Sequence, residues 1–223
     1  MADGLQARGP SIWARPRRGA RGPSPEYRLA DVAAAAIRVA ASGGIAAVSM
    51  RAVAAELGTT ASTLYSYVVS RDELLDLMVD TAMADFAFAP QREDWLSELI
   101  RLAEATRSLY LAQPWLLDAL GAHSTPGPNT LSWFEHCLRA MKQLDRPARA
   151  KMEAIGVLNG VIMLFARSAS TPTAFDFSAM DAARHPYLTS ALTNAVTGQP
   201  AGDLFERTVR AILVGLISDR VIR

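Results

Sequence analysis

Between residues 49 and 67 the sequence SMRAVAAELGTTASTLYSY sets hydroxyls and phenols at short spacing beside one cation, Arg51. Thr60, Ser62, Thr63, Ser66, Tyr65 and Tyr67 fall within one segment that carries no charged side chain. A helix surface meant only for water ordinarily shows Lys and Glu. Small hydroxyls and tyrosines instead suit phosphate oxygens and base edges. The same stretch predicts the elements that would hold them. Ser49 is placed to cap a helix over 50–57, with Val53, Ala54 and Leu57 on one buried face. Gly58 stops that helix, because glycine accepts the left-handed conformation of a C-terminal cap. Thr59 and Thr60 can cap a second helix over 61–67. Two short helices about a tight turn form a helix-turn-helix, whose second helix enters the DNA major groove. A plain three-helix bundle is the alternative, and the uncharged exposed face argues against it.

The flanking residues complete this unit. LADVAAAAIRVAASGG puts Leu29, Val32, Ala33, Ala36, Ile37 and Ala40 on one helical face and ends at Gly43 and Gly44. SRDELLDLMVDTAMADF follows the reader, with Ser70 and Glu73 spaced as a capping box ahead of Leu74 and Leu75. This helix is expected to run over 71–88.

Taken together these residues resemble the TetR (tetracycline-repressor-like) family of transcription regulators. The matching positions are Ala35-Ala36, Gly43-Gly44, Ser49-Met50-Arg51, Ala54 to Gly58, Thr63-Leu64-Tyr65 and Arg71 to Leu75, within residues 28–80. The resemblance implies an all-α chain, with an N-terminal three-helix DNA-binding domain and a C-terminal helical domain for ligand binding and dimerisation. It implies base contact by Arg51, and Ala61, Ser62 and Ser66 on the exposed face of the reader. Ser49, Thr63, Tyr65 and Tyr67 would contact phosphates, with Thr60 beside them, and Arg71 would hold a phosphate. Ala61 has no hydrogen-bonding side chain and Val69 stands at a commonly basic position, so methyl contacts and DNA shape would carry part of the readout.

Composition narrows the classes. The formal net charge is +1, but residues 1–27 hold five arginines against Asp3 and Glu26, whereas residues 28–80 hold four arginines against six acids. Most of those acids follow the reader. The expected division is a disordered basic arm over 1–27, a DNA-binding domain over 28–75 and a helical domain over 76–223. The arm is either a solvated tail or a segment that follows phosphates. Cys137 is the only cysteine, so an intrachain disulfide is excluded and a reducing cytoplasm fits. No run of about 18 apolar residues is free of polar breaks, so no membrane span is expected.

Helical patterns continue over 95–112, a short segment after Pro114, 129–144, 148–168, 178–197 and 202–222. The 148–168 pattern is apolar around its circumference and is expected to be buried all round. The last pattern carries Leu213, Leu216 and Gly215 in an apolar seam. In the resembled family a corresponding pair of helices packs against its symmetry mate, and a homodimer is what a two-fold operator requires.

Polar groups inside these apolar patterns suggest a small-molecule site, namely Asn159 with Met163, and His136 beside Trp133 and Phe134. Satisfied core polar groups are the competing reading. Arg167 falls near the position of a magnesium-binding acid in the tetracycline repressors, which argues against magnesium-assisted tetracycline binding. His123, His136 and Cys137 lack metal-ligand spacing, and no metal or other cofactor is expected. No strained nucleophile turn is present, so an enzyme is not expected. The leading function is a repressor released from a palindromic operator on double-stranded DNA by an apolar or aromatic inducer. A helical small-molecule-binding protein without DNA binding is the alternative.

Overall fold

The computed structural model describes residues 12–14, 27–84, 86, 94–121, 125–170, 176–195 and 203–217. These residues are all-α: α1 (Leu29–Ala47), α2 (Met50–Glu56), α3 (Ala61–Tyr65), α4 (Arg71–Ala82), α5 (Trp95–Ala112), α6 (Trp115–Gly121), α7 (Pro128–Ala140), α8 (Ala148–Ser170), α9 (Pro186–Ala195) and α10 (Leu204–Ile217). They fall into two compact units, one from residues 1–93 and 112–144, the other from 94–111 and 145–223.

In the first unit α1 packs on α2, α4 and α6, and α2 packs on α3. Alanine makes this possible. Ala33, Ala35 and Ala36 are fully buried and let the neighbouring backbones come close. Val53, Leu64, Val68, Leu74 and Met78 fill the space between the helices. Both glycine stops lie in the left-handed region, Gly44 at φ 69° and Gly58 at φ 73°. Gly44 kinks α1 and one further turn follows it, where the sequence pattern suggested an end. The reader helix is shorter than expected, because Ser66 already serves as its C-terminal cap. α4 likewise ends at Ala82 instead of near residue 88.

The expected 1–27 arm is described only at Ile12–Ala14 and Tyr27; its other residues lie outside the described ones. At Ile12–Ala14 the expectation of disorder fails. These residues form a turn, and Ile12 is buried. An isoleucine and a tryptophan within a basic stretch supply apolar surface that docking removes from water.

In the second unit α8 packs on α10. Ile155, Leu158, Ile162 and Ala166 form the buried stripe of α8; Phe205, Val209, Leu213 and Ile217 form that of α10. Phe205 is the centre of this contact. Phe165 meets it edge-on at 5.3 Å, and the Arg107 guanidinium of α5 lies 4.8 Å above its ring. Arg146 Nε donates to the Ile217 carbonyl at 2.6 Å and so closes the last turn of α10. α9 begins at Pro186 instead of near residue 178, because proline suits a first helical turn.

Two apolar surfaces are left uncovered within the single chain. α8 is not buried all round: Met152, Val157 and Leu164 are exposed, the last at 62%. On α10, Leu213 is buried within the chain while Leu216 is exposed. In addition, Leu29–Ala47 and Ala148–Ala169 are long and apolar enough by composition to cross a membrane. Counting unbroken runs missed them, because scattered Arg and Asn lower the average only slightly. In the structure their apolar stripes pack against α2 and α4, and against α10.

Phe205→Ala removes a fully buried ring at the α8–α10 contact. Urea unfolding is expected to show a loss of about 3–5 kcal/mol, and a loss below about 1 kcal/mol would mean that the contact relaxes around the void.

Candidate nucleic-acid interface

The α2–α3 pair is held by its own hydroxyls. Ser49 Oγ accepts from the Ala52 amide at 3.2 Å, and Thr60 Oγ1 accepts from the Thr63 amide at 3.2 Å. Each satisfies an amide at a helix start, worth about 1 kcal/mol. The Thr60 and Thr63 hydroxyls are 3.0 Å apart, and Ser66 Oγ donates to the Thr63 carbonyl at 2.7 Å. Leu64 and Val68 anchor the segment in the core. Arg51, Thr60, Ser62, Tyr65 and Ser66 are left exposed, whereas Ala61, Thr63 and Tyr67 are half-buried. Among the described residues Arg51 has no hydrogen-bond or ion-pair partner.

Tyr67 has a structural role that its spacing did not reveal. Its hydroxyl accepts from the Tyr27 amide at 3.1 Å, and the two rings meet edge-on at 6.3 Å. The Tyr27 hydroxyl in turn donates to the Leu57 carbonyl at 3.2 Å, beside the turn. Tyr27 therefore fastens the chain ahead of α1 to the α2–α3 turn. Sequence reasoning assigned it no role, since one aromatic residue in a Pro/Gly-rich stretch has no periodicity.

Arg71 has a structural role as well. Its Nε donates to the Val48 carbonyl at 2.8 Å and its Nη2 to the Ile45 carbonyl at 2.7 Å. These carbonyls end α1, where the helix dipole favours a cation. The guanidinium thus holds the α1–α2 corner from an exposed position. Ser70 caps α4 through the Glu73 amide, while the Glu73 carboxylate reaches back to the Val69 amide at 2.9 Å, one residue further than a capping box requires. Arg38 pairs with Glu56 at 2.6 Å and ties α1 to α2. Arg28 hydrogen-bonds Asp31 and holds that carboxyl below its ordinary pKa.

The largest feature missed from sequence is a pair of buried acids on α4. Asp76 Oδ1 accepts from the Thr125 amide at 2.9 Å. Asp80, 2% exposed, accepts from the Thr130 amide at 2.9 Å and from Asn129 Nδ2 at 3.0 Å. Thr130 lies in the first turn of α7, so Asp80 caps that helix from α4. Acids four residues apart within LLDLMVD were the available signal, since that spacing puts both on one side of an otherwise buried helix.

The residues expected to line a ligand site divide between the two units. Trp133 and His136 belong to the first. Both are buried on α7, and Trp133 meets Phe134 edge-on at 5.3 Å. Asn159, Met163 and Arg167 belong to the second. Asn159 Oδ1 accepts from the Tyr110 hydroxyl at 3.1 Å, and Asn159 Nδ2 lies 3.8 Å from Met163 Sδ. Burial pushes the Tyr110 phenol well above its ordinary pKa, which keeps it a donor to this amide. Arg167 is exposed. His123 lies outside the described residues. Among the described residues no three His, Cys, Asp or Glu side chains gather as a metal site would require.

The staple role of Arg71 sets a testable outcome. Arg71→Ala is expected to lower unfolding stability by about 1–2 kcal/mol through loss of charged hydrogen bonds. Unchanged stability in thermal melts, with a salt slope of DNA binding reduced by about one, would return Arg71 to the phosphate role.

Comparison with known proteins agrees with this arrangement. Residues 32–78 match the family model for bacterial regulatory proteins of the tetR family, and residues 89–219 match that for the tetracyclin repressor-like C-terminal domain. The chain is 35% identical over 159 residues to the HTH-type transcriptional repressor DrrR1 of Streptomyces coeruleorubidus; the match covers 70% of this chain and 59% of that repressor's length. It is similar in fold to apo ActR from Streptomyces coelicolor, with a TM-score of 0.74 and 22% identity over 88% of this chain and 97% of ActR. ActR in complex with actinorhodin gives a TM-score of 0.72 at 23% identity, over 85% of this chain and 96% of that one. With both of its domains matched in order, the chain belongs to the tetR family of bacterial regulatory proteins.

Proposed function

We propose that this regulator is a repressor that binds a two-fold DNA operator as a homodimer and leaves it when a small apolar or aromatic molecule binds. The observation that carries the reading is the exposed face of α2 and α3. Arg51, Ser62 and Tyr65 stand outward there on a helix pair whose ends are already closed by Ser49 and Thr60. A cation without a described protein partner beside uncharged hydroxyls suits a guanine edge flanked by phosphates. Arg51 would read a base. Ala61, Ser62 and Ser66 would face the groove, and Ser49, Thr60, Thr63, Tyr65 and Tyr67 would lie against the backbone. The relatives support repression and ligand control: DrrR1 is a transcriptional repressor, and ActR has been solved with actinorhodin bound.

Homodimerisation is supported by the apolar surface left uncovered on α8 and α10. Val157, Leu164, Val214 and Leu216 are exposed, and Gly156, Gly160 and Gly215 have open space where a side chain would stand. Two-fold pairing would hold two readers about 34–36 Å apart, one helical turn of DNA. For the ligand, Trp133 and His136 of the first unit remain one proposed set of contacts, and Asn159, Met163 and Arg167 of the second remain another, each considered within its own unit. Tyr110 joins them as the partner of Asn159.

Arg51→Ala is expected to relax preference at one base pair of each half-site, at a cost of about 1–3 kcal/mol. Tyr65→Ala is expected to weaken binding to all sequences with helical content unchanged. Both are read by titrating DNA from upstream of the protein's own gene, at several salt concentrations. Wild-type protein that retains no DNA while still binding a small molecule would establish the alternative, a helical binding protein without DNA recognition. Leu216→Glu would bury an unpaired charge between subunits. Sedimentation is expected to show monomers, and an intact dimer would place the interface elsewhere.

A further inference from the structure

We propose that Ile12 and Trp13, which precede the family's DNA-binding domain, form an intramolecular clasp over the junction of α4 and α7. Three observations converge on Gly127. It is the N-terminal cap residue of α7, with φ −88° and ψ −178°, a conformation open to any residue. Its lack of a side chain is therefore a matter of space and not of backbone conformation. A Cβ there would lie 2.5 Å from Trp13 Cζ2 and equally close to Asp80 Oδ1. The indole and the Asp80 carboxylate thus crowd the same backbone position from two sides. Ile12, next to Trp13, is 8% exposed, so the segment is seated and not merely adjacent.

The polar network under the indole explains why a cover matters. Asp80 holds the Thr130 amide and the Asn129 side chain, and Asp76 holds the Thr125 amide one turn earlier on α4. Those bonds are the polar ties between α4 and the start of α7. Hydrogen bonds to a carboxylate strengthen when water is kept out and weaken when water competes. An indole packed over Gly127 keeps water from Asp80. Trp13 Nε1 is itself buried with no hydrogen-bond partner among the described residues, so the ring is held there by packing and not by its N–H. The group seated here is the chain's own turn at Ile12–Ala14. Its docking stiffens the junction through which α7, bearing Trp133 and His136, is fastened to α4.

The test is hydrogen exchange of the Thr125 and Thr130 amides in the full chain. Trp13→Ala is expected to speed exchange at Thr130 at least about tenfold by local opening, with Leu64 and Val68 in the DNA-binding domain unchanged. Equal protection of Thr130 in Trp13→Ala and wild type overturns the proposal. Trp13→Phe keeps the packed ring and is expected to retain protection; loss as large as in Trp13→Ala overturns the packing account, even if Trp13→Ala unfolds throughout. Gly127→Ala reads the same contact from the other side. It is expected to expose Thr130, and by less when Trp13 is also Ala, because one of the two clashing groups is then gone. Strict additivity of the two substitutions would show that Trp13 and Gly127 do not share a contact, and would also overturn the proposal.

Discussion

The first unit depends on helix α4 closing the open ends of two other helices. A helix ends in carbonyls or amides without intrahelical partners, and burying them unmet is costly. Arg71, at the start of α4, meets the carbonyls that end α1. Asp80, near its other end, meets an amide in the first turn of α7. Each charge has the sign that the dipole it faces requires. Between them Leu74, Leu75, Leu77, Met78 and Val79 are buried. α4 is thus fixed at both ends by charge and along its length by packing. The DNA-reading helices and α7 are held in one body through it.

The hydroxyls of the reader serve a similar economy. Ser49 and Thr60 close the amide ends of α2 and α3, and Ser66 turns back onto the Thr63 carbonyl. A short reader of five residues has little packing of its own beyond Leu64. Its shape is therefore carried by caps and by the Tyr27–Tyr67 contact. The surface is prepared before any DNA arrives, so less ordering remains to oppose binding.

The second unit is organised around Phe205, which gathers Phe165 and the Arg107 guanidinium about one ring. The same helices leave Leu164 and Leu216 outside. One stripe of each helix is satisfied within the chain and another is not. Apolar surface left uncovered by the chain itself is what the proposed homodimer would bury. Asn159, the one amide of an apolar stretch, is answered within this unit by Tyr110.

Much of this was legible in the residues themselves. Ser49, Gly58, Thr60 and Ser70 announced their caps and turns because these depend on neighbours a few positions away. The apolar spacing of Val53, Leu64, Leu74 and Leu75 marked the buried faces for the same reason. Local rules failed wherever a side chain answers a group distant in sequence. Nothing near Arg71 signals that its guanidinium belongs to Ile45 and Val48. Nothing near Asp80 signals Thr130, and nothing near Trp13 signals Gly127. Hydropathy marked α8 as apolar all round, but only packing decided that Ile155 and Leu158 are buried within the chain while Val157 and Leu164 are not. The sequence alone determined the helices, the caps set by near neighbours and the family. Tertiary structure decided which charged and aromatic side chains close which helix ends, because those bonds form only when distant segments meet.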